Sequence, residues 1–104
     1  MQNYYSTVDD IVLTFSSIYE TNYLEQIQLH YERPNGKGFD IAELTLPTYN
    51  FTKIMGFSED EAFELESYAR DNAPLIWEIA REIKNKKELM QNGRNIKINI
   101  RKDK

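Results

Sequence analysis

Few residues of this chain are equipped for chemistry, and His30 comes first because it is the only histidine. Catalytic triads and most zinc sites need a histidine with oriented partners. The chain has no cysteine, which removes thiol nucleophiles, zinc-thiolate and iron–sulfur ligation, and disulfides. His30 also falls on the polar side of an alternating segment, opposite Ile27, Leu29 and Tyr31. It reads as a solvent-facing, hydrogen-bonding side chain, so no catalytic residue, metal or cofactor is expected. The short stretch "PNGKG" lacks the spacing of a phosphate-binding loop and runs into a strand pattern, so it reads as a hairpin turn.

Carboxylates are the other candidates. "SEDEAFELE" holds Glu59, Asp60, Glu61, Glu64 and Glu66 within eight positions. Acids in a first helical turn oppose the helix macrodipole, and Glu66 can pair with Arg70 one turn on. A calcium loop would need alternating Asp or Asn, a glycine and a distant Glu, which are absent. What remains is a solvated capping face that doubles as an interaction surface, with Glu59, Asp60, Glu64, Glu66 and the nearby Tyr68 as its contact residues. Asp9 and Asp10 are neighbours on a strand and would point to opposite faces, so they do not make a paired site.

Seven tyrosines, Tyr4, Tyr5, Tyr19, Tyr23, Tyr31, Tyr49 and Tyr68, exceed what a small core accommodates with every hydroxyl bonded. Some should reach the surface, where tyrosine is enriched at interfaces. The charge is divided. Residues 1–80 carry 4 basic against 14 acidic residues, a net of −10, while residues 81–104 carry 9 against 3, a net of +6. Lys84, Lys86, Lys87, Arg94, Lys97, Arg101 and Lys102 are the set that would track phosphates if the chain bound nucleic acid. The end of the chain, however, offers isoleucines where stacking aromatics would be expected.

These residues need elements to hold them. Residues 1–57 read as mainly β. "STVDDIVLTFSSIYE" fits either a strand or a helix opened by a Thr7–Asp10 capping box, with its β-branched residues favouring the strand. In "NYLEQIQLHYERP", Tyr23, Ile27, Leu29 and Tyr31 share one face, and "FDIAELTLP" follows as a second strand closed by Pro47. Residues 58–92 read as two helices. The first is capped by Ser58 and Glu61; the second has Asn72 as its cap and Pro74 in its first turn. Gly93 is placed to end that helix. Residues 93–104 alternate Ile96, Ile98 and Ile100 with Lys97, Asn99 and Arg101, and read as a basic C-terminal strand or tail. The expected architecture is one α+β domain: a small antiparallel sheet of about three strands plus that C-terminal edge strand, packed against a helical pair.

The function expected from this is a small non-enzymatic intracellular protein. Its acidic, tyrosine-rich surface would bind a basic protein partner and could inhibit a nucleic-acid-binding protein. Nucleic-acid binding through the basic end, or a purely structural or oligomer-forming role with a homodimer through the C-terminal strand, are the alternatives. No apolar run approaches the roughly 20 residues of a membrane span, and the first residues lack the form of a secretory signal; a cytoplasmic location is expected. Asn, Ile, Lys, Tyr and Phe make up 40 of the 104 residues, a bias of AT-rich genomes that points to a bacterial or phage source.

Overall fold

The computed structural model describes the backbone of residues 2–103 and the side chains of residues 2–90. Six strands precede a single helix: β1 (Gln2–Val8), β2 (Ile11–Ser16), β3 (Tyr19–Thr21), β4 (Leu24–Pro34), β5 (Phe39–Leu46), β6 (Asn50–Met55) and α1 (Glu59–Asp103). All pairings are antiparallel, in the order β1-β2-β4-β5-β6, and β3 pairs with the first part of β4.

The turns explain the hairpins. Asp9 and Asp10 have φ of 51° and 67°, and Asn22 and Tyr23 have φ of 52° and 65°. Two successive positive φ values are what a two-residue type I′ hairpin requires, and Asp and Asn adopt them most readily among residues with a Cβ. The third hairpin, after Pro34, is closed by the Asn35 N–H donating to the Gly38 carbonyl at 3.0 Å. Asn35 Oδ1 accepts from the Lys37 N–H at 2.9 Å. Gly56 leads into the helix with φ of 88°, and a Cβ there would collide with the Asp40 side chain; only glycine fits.

One face of the sheet is the core. Leu13 and Phe15 of β2, Ile27, Leu29 and Tyr31 of β4, and Ala42, Leu44 and Leu46 of β5 are buried there. The helix lays Leu65, Ala69, Ala73, Ile76 and Ala80 onto them, with Ala62 buried one turn before Leu65. These recur at intervals of three and four, the spacing of one helical face, and the four alanines let the backbone approach the sheet closely. Tyrosines tie the layers. Tyr31 Oη donates to the Leu65 carbonyl at 2.9 Å, and Tyr5 Oη donates to Asn72 Oδ1 at 2.7 Å. Burial raises the Tyr31 phenol well above its usual pKa and shifts Tyr5 in the same direction.

Several expectations are corrected here. There are six strands, not about three. The polar β1, with a bulge between Tyr4 and Ser6, and the bulged edge strand β6 carry too irregular an alternation to be recognised. The helical pair is one helix. Asn72 is not a cap: its side-chain amide bonds Tyr5 and the Tyr68 carbonyl. Pro74 sits inside the helix on its exposed side. Its missing N–H leaves the Arg70 carbonyl without a helical partner, a cost of about 3 kcal/mol. Continuous burial of Ala69, Ala73, Ile76 and Ala80 outweighs that cost. The C-terminal edge strand is also absent: the backbone stays helical through Gly93 to Asp103. That removes the strand through which a homodimer was expected to form. The side chains of Ile96, Ile98 and Ile100 lie outside the described residues. Finally, Tyr23 is in a turn and 97% exposed rather than on the core face. Among the described residues no helix is long and apolar enough to cross a membrane.

Candidate functional site: the acidic helical face

The start of α1 is held in place by charge. Ser58 and Glu61 form the expected capping box, with the Glu61 N–H donating to Ser58 Oγ at 3.1 Å and the Ser58 N–H to Glu61 Oε1 at 2.9 Å. Glu61 also faces Arg33 of β4 at 2.8 Å, and Arg33 reaches Asp40 of β5, also at 2.8 Å. The guanidinium lies 4.5 Å over the Phe57 ring. Bonds from Arg33 and then from the Ser58 backbone lower the Glu61 carboxyl to a pKa of about 2. Asp40 is lowered by Asn35 first and Arg33 second. Arg33, held by Glu61 and Asp40, is raised further. This knot fixes which side of the helix looks outward.

The outward side is acidic. Asp60, Glu64, Asp71, Glu78 and Glu82 follow one another at intervals of four, seven, seven and four, which keeps them on one helical line. All five are exposed. At about 1.5 Å per residue the row is roughly 33 Å long. None of the five takes part in an ion pair among the described residues. Two arginines beside the row are already engaged, while Lys86, one turn after Glu82, is exposed and in no ion pair among the described residues. Arg70 bonds Glu66 at 2.8 Å and lies 4.1 Å over Tyr49, while Arg81 bonds Glu25 at 3.0 Å and lies 5.8 Å from the Trp77 ring. Lys84 joins Arg81 on Glu25, whose carboxyl they lower.

The five residues singled out from the sequence therefore separate. Asp60 and Glu64 lie in the outward row, and Glu59 is exposed on its flank. Glu66 is half-buried and paired with Arg70. Tyr68 turns toward β1, its hydroxyl 3.0 Å from Ser6 Oγ. Glu64 and Tyr68 nevertheless share a cavity between α1 and the β1–β2 hairpin, floored by Leu13, Tyr31 and Leu65. Asp71, Glu78 and Glu82 were missed, although their spacing of seven and four was visible once one continuous helix is assumed. Of the basic set, Lys84 is bound to Glu25 and Lys86 and Lys87 are exposed. The side chains of Arg94, Lys97, Arg101 and Lys102 lie outside the described residues.

His30 lies on the uncovered face of the sheet, beside a depression lined also by Thr14, Glu32 and Glu43. Its Nδ1 is 3.0 Å from Glu43 and its Nε2 3.0 Å from Glu32. Both ring nitrogens thus face carboxylates, and neither points at a hydroxyl or at open space where a reacting group would sit. The two carboxylates stand on opposite sides of the ring and do not converge on one point. Among the described residues no group of three His, Cys, Asp or Glu side chains is placed to hold a metal ion. Thr14, Gln2, Gln28, Thr45 and Thr52 continue this face as a hydrogen-bonded ladder. The candidate site is therefore the helical face, where exposed carboxylates in no ion pair among the described residues stand in line. No protein-family model, no curated protein and no solved structure matches the chain.

Proposed function

We propose that this chain is a non-enzymatic interaction protein whose acidic helical face takes a basic protein partner in the cytoplasm. The observation that supports this is the row Asp60, Glu64, Asp71, Glu78 and Glu82, exposed together and in no ion pair among the described residues. Asp60 complements the helix macrodipole in the first turn, but the pairs Asp60/Glu64 and Glu78/Glu82, one turn apart, repel and add no stability. Their use is external. A row of carboxylates raises the encounter rate with a lysine- or arginine-rich surface and orients it along the helix axis. A nucleic-acid-binding protein offers such a surface, and occupying it would exclude phosphates; inhibition of that class of protein is the action we assign.

The test is co-purification from the native host with the wild-type chain and with a variant carrying Asp60→Lys, Glu64→Lys, Asp71→Lys and Glu78→Lys. Basic proteins retained by the wild type should be lost by the variant, and retention should weaken steeply with salt. An unchanged set of captured proteins would sink the proposal. Binding of duplex DNA by the wild type instead would move the function to the basic segment.

A further inference from the structure

A charged row steers a partner but does not by itself hold it, because exposed ion pairs are each worth only about 0–1 kcal/mol. Stable interfaces add a buried apolar anchor. The cavity at the upper end of the row has that character. Its volume is about 150 Å³, a size that in an apolar cavity admits a benzene-sized group. Val8, Ile11 and Tyr68 also line it. Val8 is 48% exposed although it is aliphatic and precedes the two-aspartate turn. At the mouth stand Asp9 and Glu64, and no lysine or arginine lines it.

The internal bonding decides what can enter. The Tyr31 hydroxyl at the floor is bonded to the Leu65 carbonyl, and the Ser6 and Tyr68 hydroxyls bond each other. No buried side-chain polar atom among the described residues lacks a partner. An ammonium or guanidinium driven to the floor would leave the mouth carboxylates and its hydration for neutral hydroxyl oxygens already engaged in a bond, with no carboxylate beside it, which is costly. An aliphatic group would lose nothing. The charge belongs at the mouth, on Asp9 and Glu64.

We infer that this cavity is the anchor point of the acidic surface. It receives one aliphatic side chain of the basic partner, and Asp9 and Glu64 hold lysines or arginines flanking that residue. This rests on the function proposed above and names the chemistry it selects: a basic segment interrupted by a single leucine-, isoleucine- or methionine-like residue. A uniformly charged polycation is the poorer ligand.

The experiment titrates the full chain, labelled for amide NMR, with two peptides of equal charge, acetyl-KKKLKKK-amide and acetyl-KKKSKKK-amide. The leucine peptide should shift the amides of Val8, Asp9, Ile11, Glu64 and Tyr68 and bind at least tenfold more tightly than the serine peptide. Val8→Tyr, which fills the cavity without changing charge, should bring the leucine peptide down to the level of the serine one. Ile11→Phe serves the same purpose if the first variant melts early. Asp9→Asn with Glu64→Gln should weaken both peptides. Equal binding of the two peptides along the helix would overturn the anchor and leave the acidic face standing. Binding of neither would overturn both.

Discussion

The two sides of α1 follow opposite rules. The inner side, from Ala62 to Ala80, alternates alanine with leucine and isoleucine and is buried throughout. The outer side, from Asp60 to Glu82, carries acids with no internal partner among the described residues. On the inner side each atom's value lies in shape, because the sheet lies against it. On the outer side the carboxylates face solvent, which is where the proposed function places a partner. Glu61 shows that residue type does not decide this. It stands next to Asp60, yet turns a quarter-circle toward the sheet, where Arg33 and Ser58 hold it and lower its carboxyl to about 2. Two adjacent acids thus divide into one structural member and one free one by helical angle alone.

The comparison breaks most visibly on the inner side. Ile76 is 0% exposed, so Ile76→Ala should cost about 2–5 kcal/mol through lost burial and a cavity. At roughly 4–8 °C per kcal/mol, melting should fall by about 8–40 °C. Thermal melting followed by circular dichroism reads this directly, and a shift of only a degree or two would show that α1 is not seated as described.

Glu61 should behave as intermediate between the two sides. Its folded pKa of about 2 lies below the ordinary 4.5, so between these values the unfolded chain binds more protons than the folded one. Its contribution to stability is therefore complete above about pH 4.5 and is lost as pH falls toward 2. Glu61→Gln should lower the melting temperature most at neutral pH, with the gap from wild type closing toward pH 2. A gap that stays constant across that range would mean that Arg33 does not sense this carboxylate.

The smallest effect on stability belongs to the outer side. Asp71→Lys or Glu78→Lys should alter stability by no more than about 0.5 kcal/mol, as ordinary surface substitutions do, while still contributing to loss of partner binding. A large destabilisation by either would give that carboxylate a structural partner and dissolve the contrast.

What was legible in the sequence was local. The Ser58–Glu61 box, the turn at Asn35–Gly38, the alternation of Ile27, Leu29 and Tyr31, and the Glu66–Arg70 pair all depend on residues close along the chain, and each is present. His30 was legible as a polar-face side chain but not as the link between Glu32 and Glu43, because Glu43 arrives from the neighbouring strand. Tyr23 alternated correctly yet landed in a turn, since period two says nothing about where the strand begins. Asp9 and Asp10 looked like strand residues because a two-residue hairpin leaves almost no gap in the pattern of apolar residues around it.

By itself, then, the sequence determined which residues are apolar at which period, where helix α1 starts, and that the first 80 residues carry strong negative charge. Those properties follow from short-range sterics, capping and composition. Tertiary structure alone decided that Pro74 lies inside one helix, because only burial against the sheet compensates for the missing hydrogen bond. It also decided which acids are free. Arg33, Arg70 and Arg81 choose their carboxylates by proximity in space, and among the described residues they leave the row from Asp60 to Glu82 unpaired.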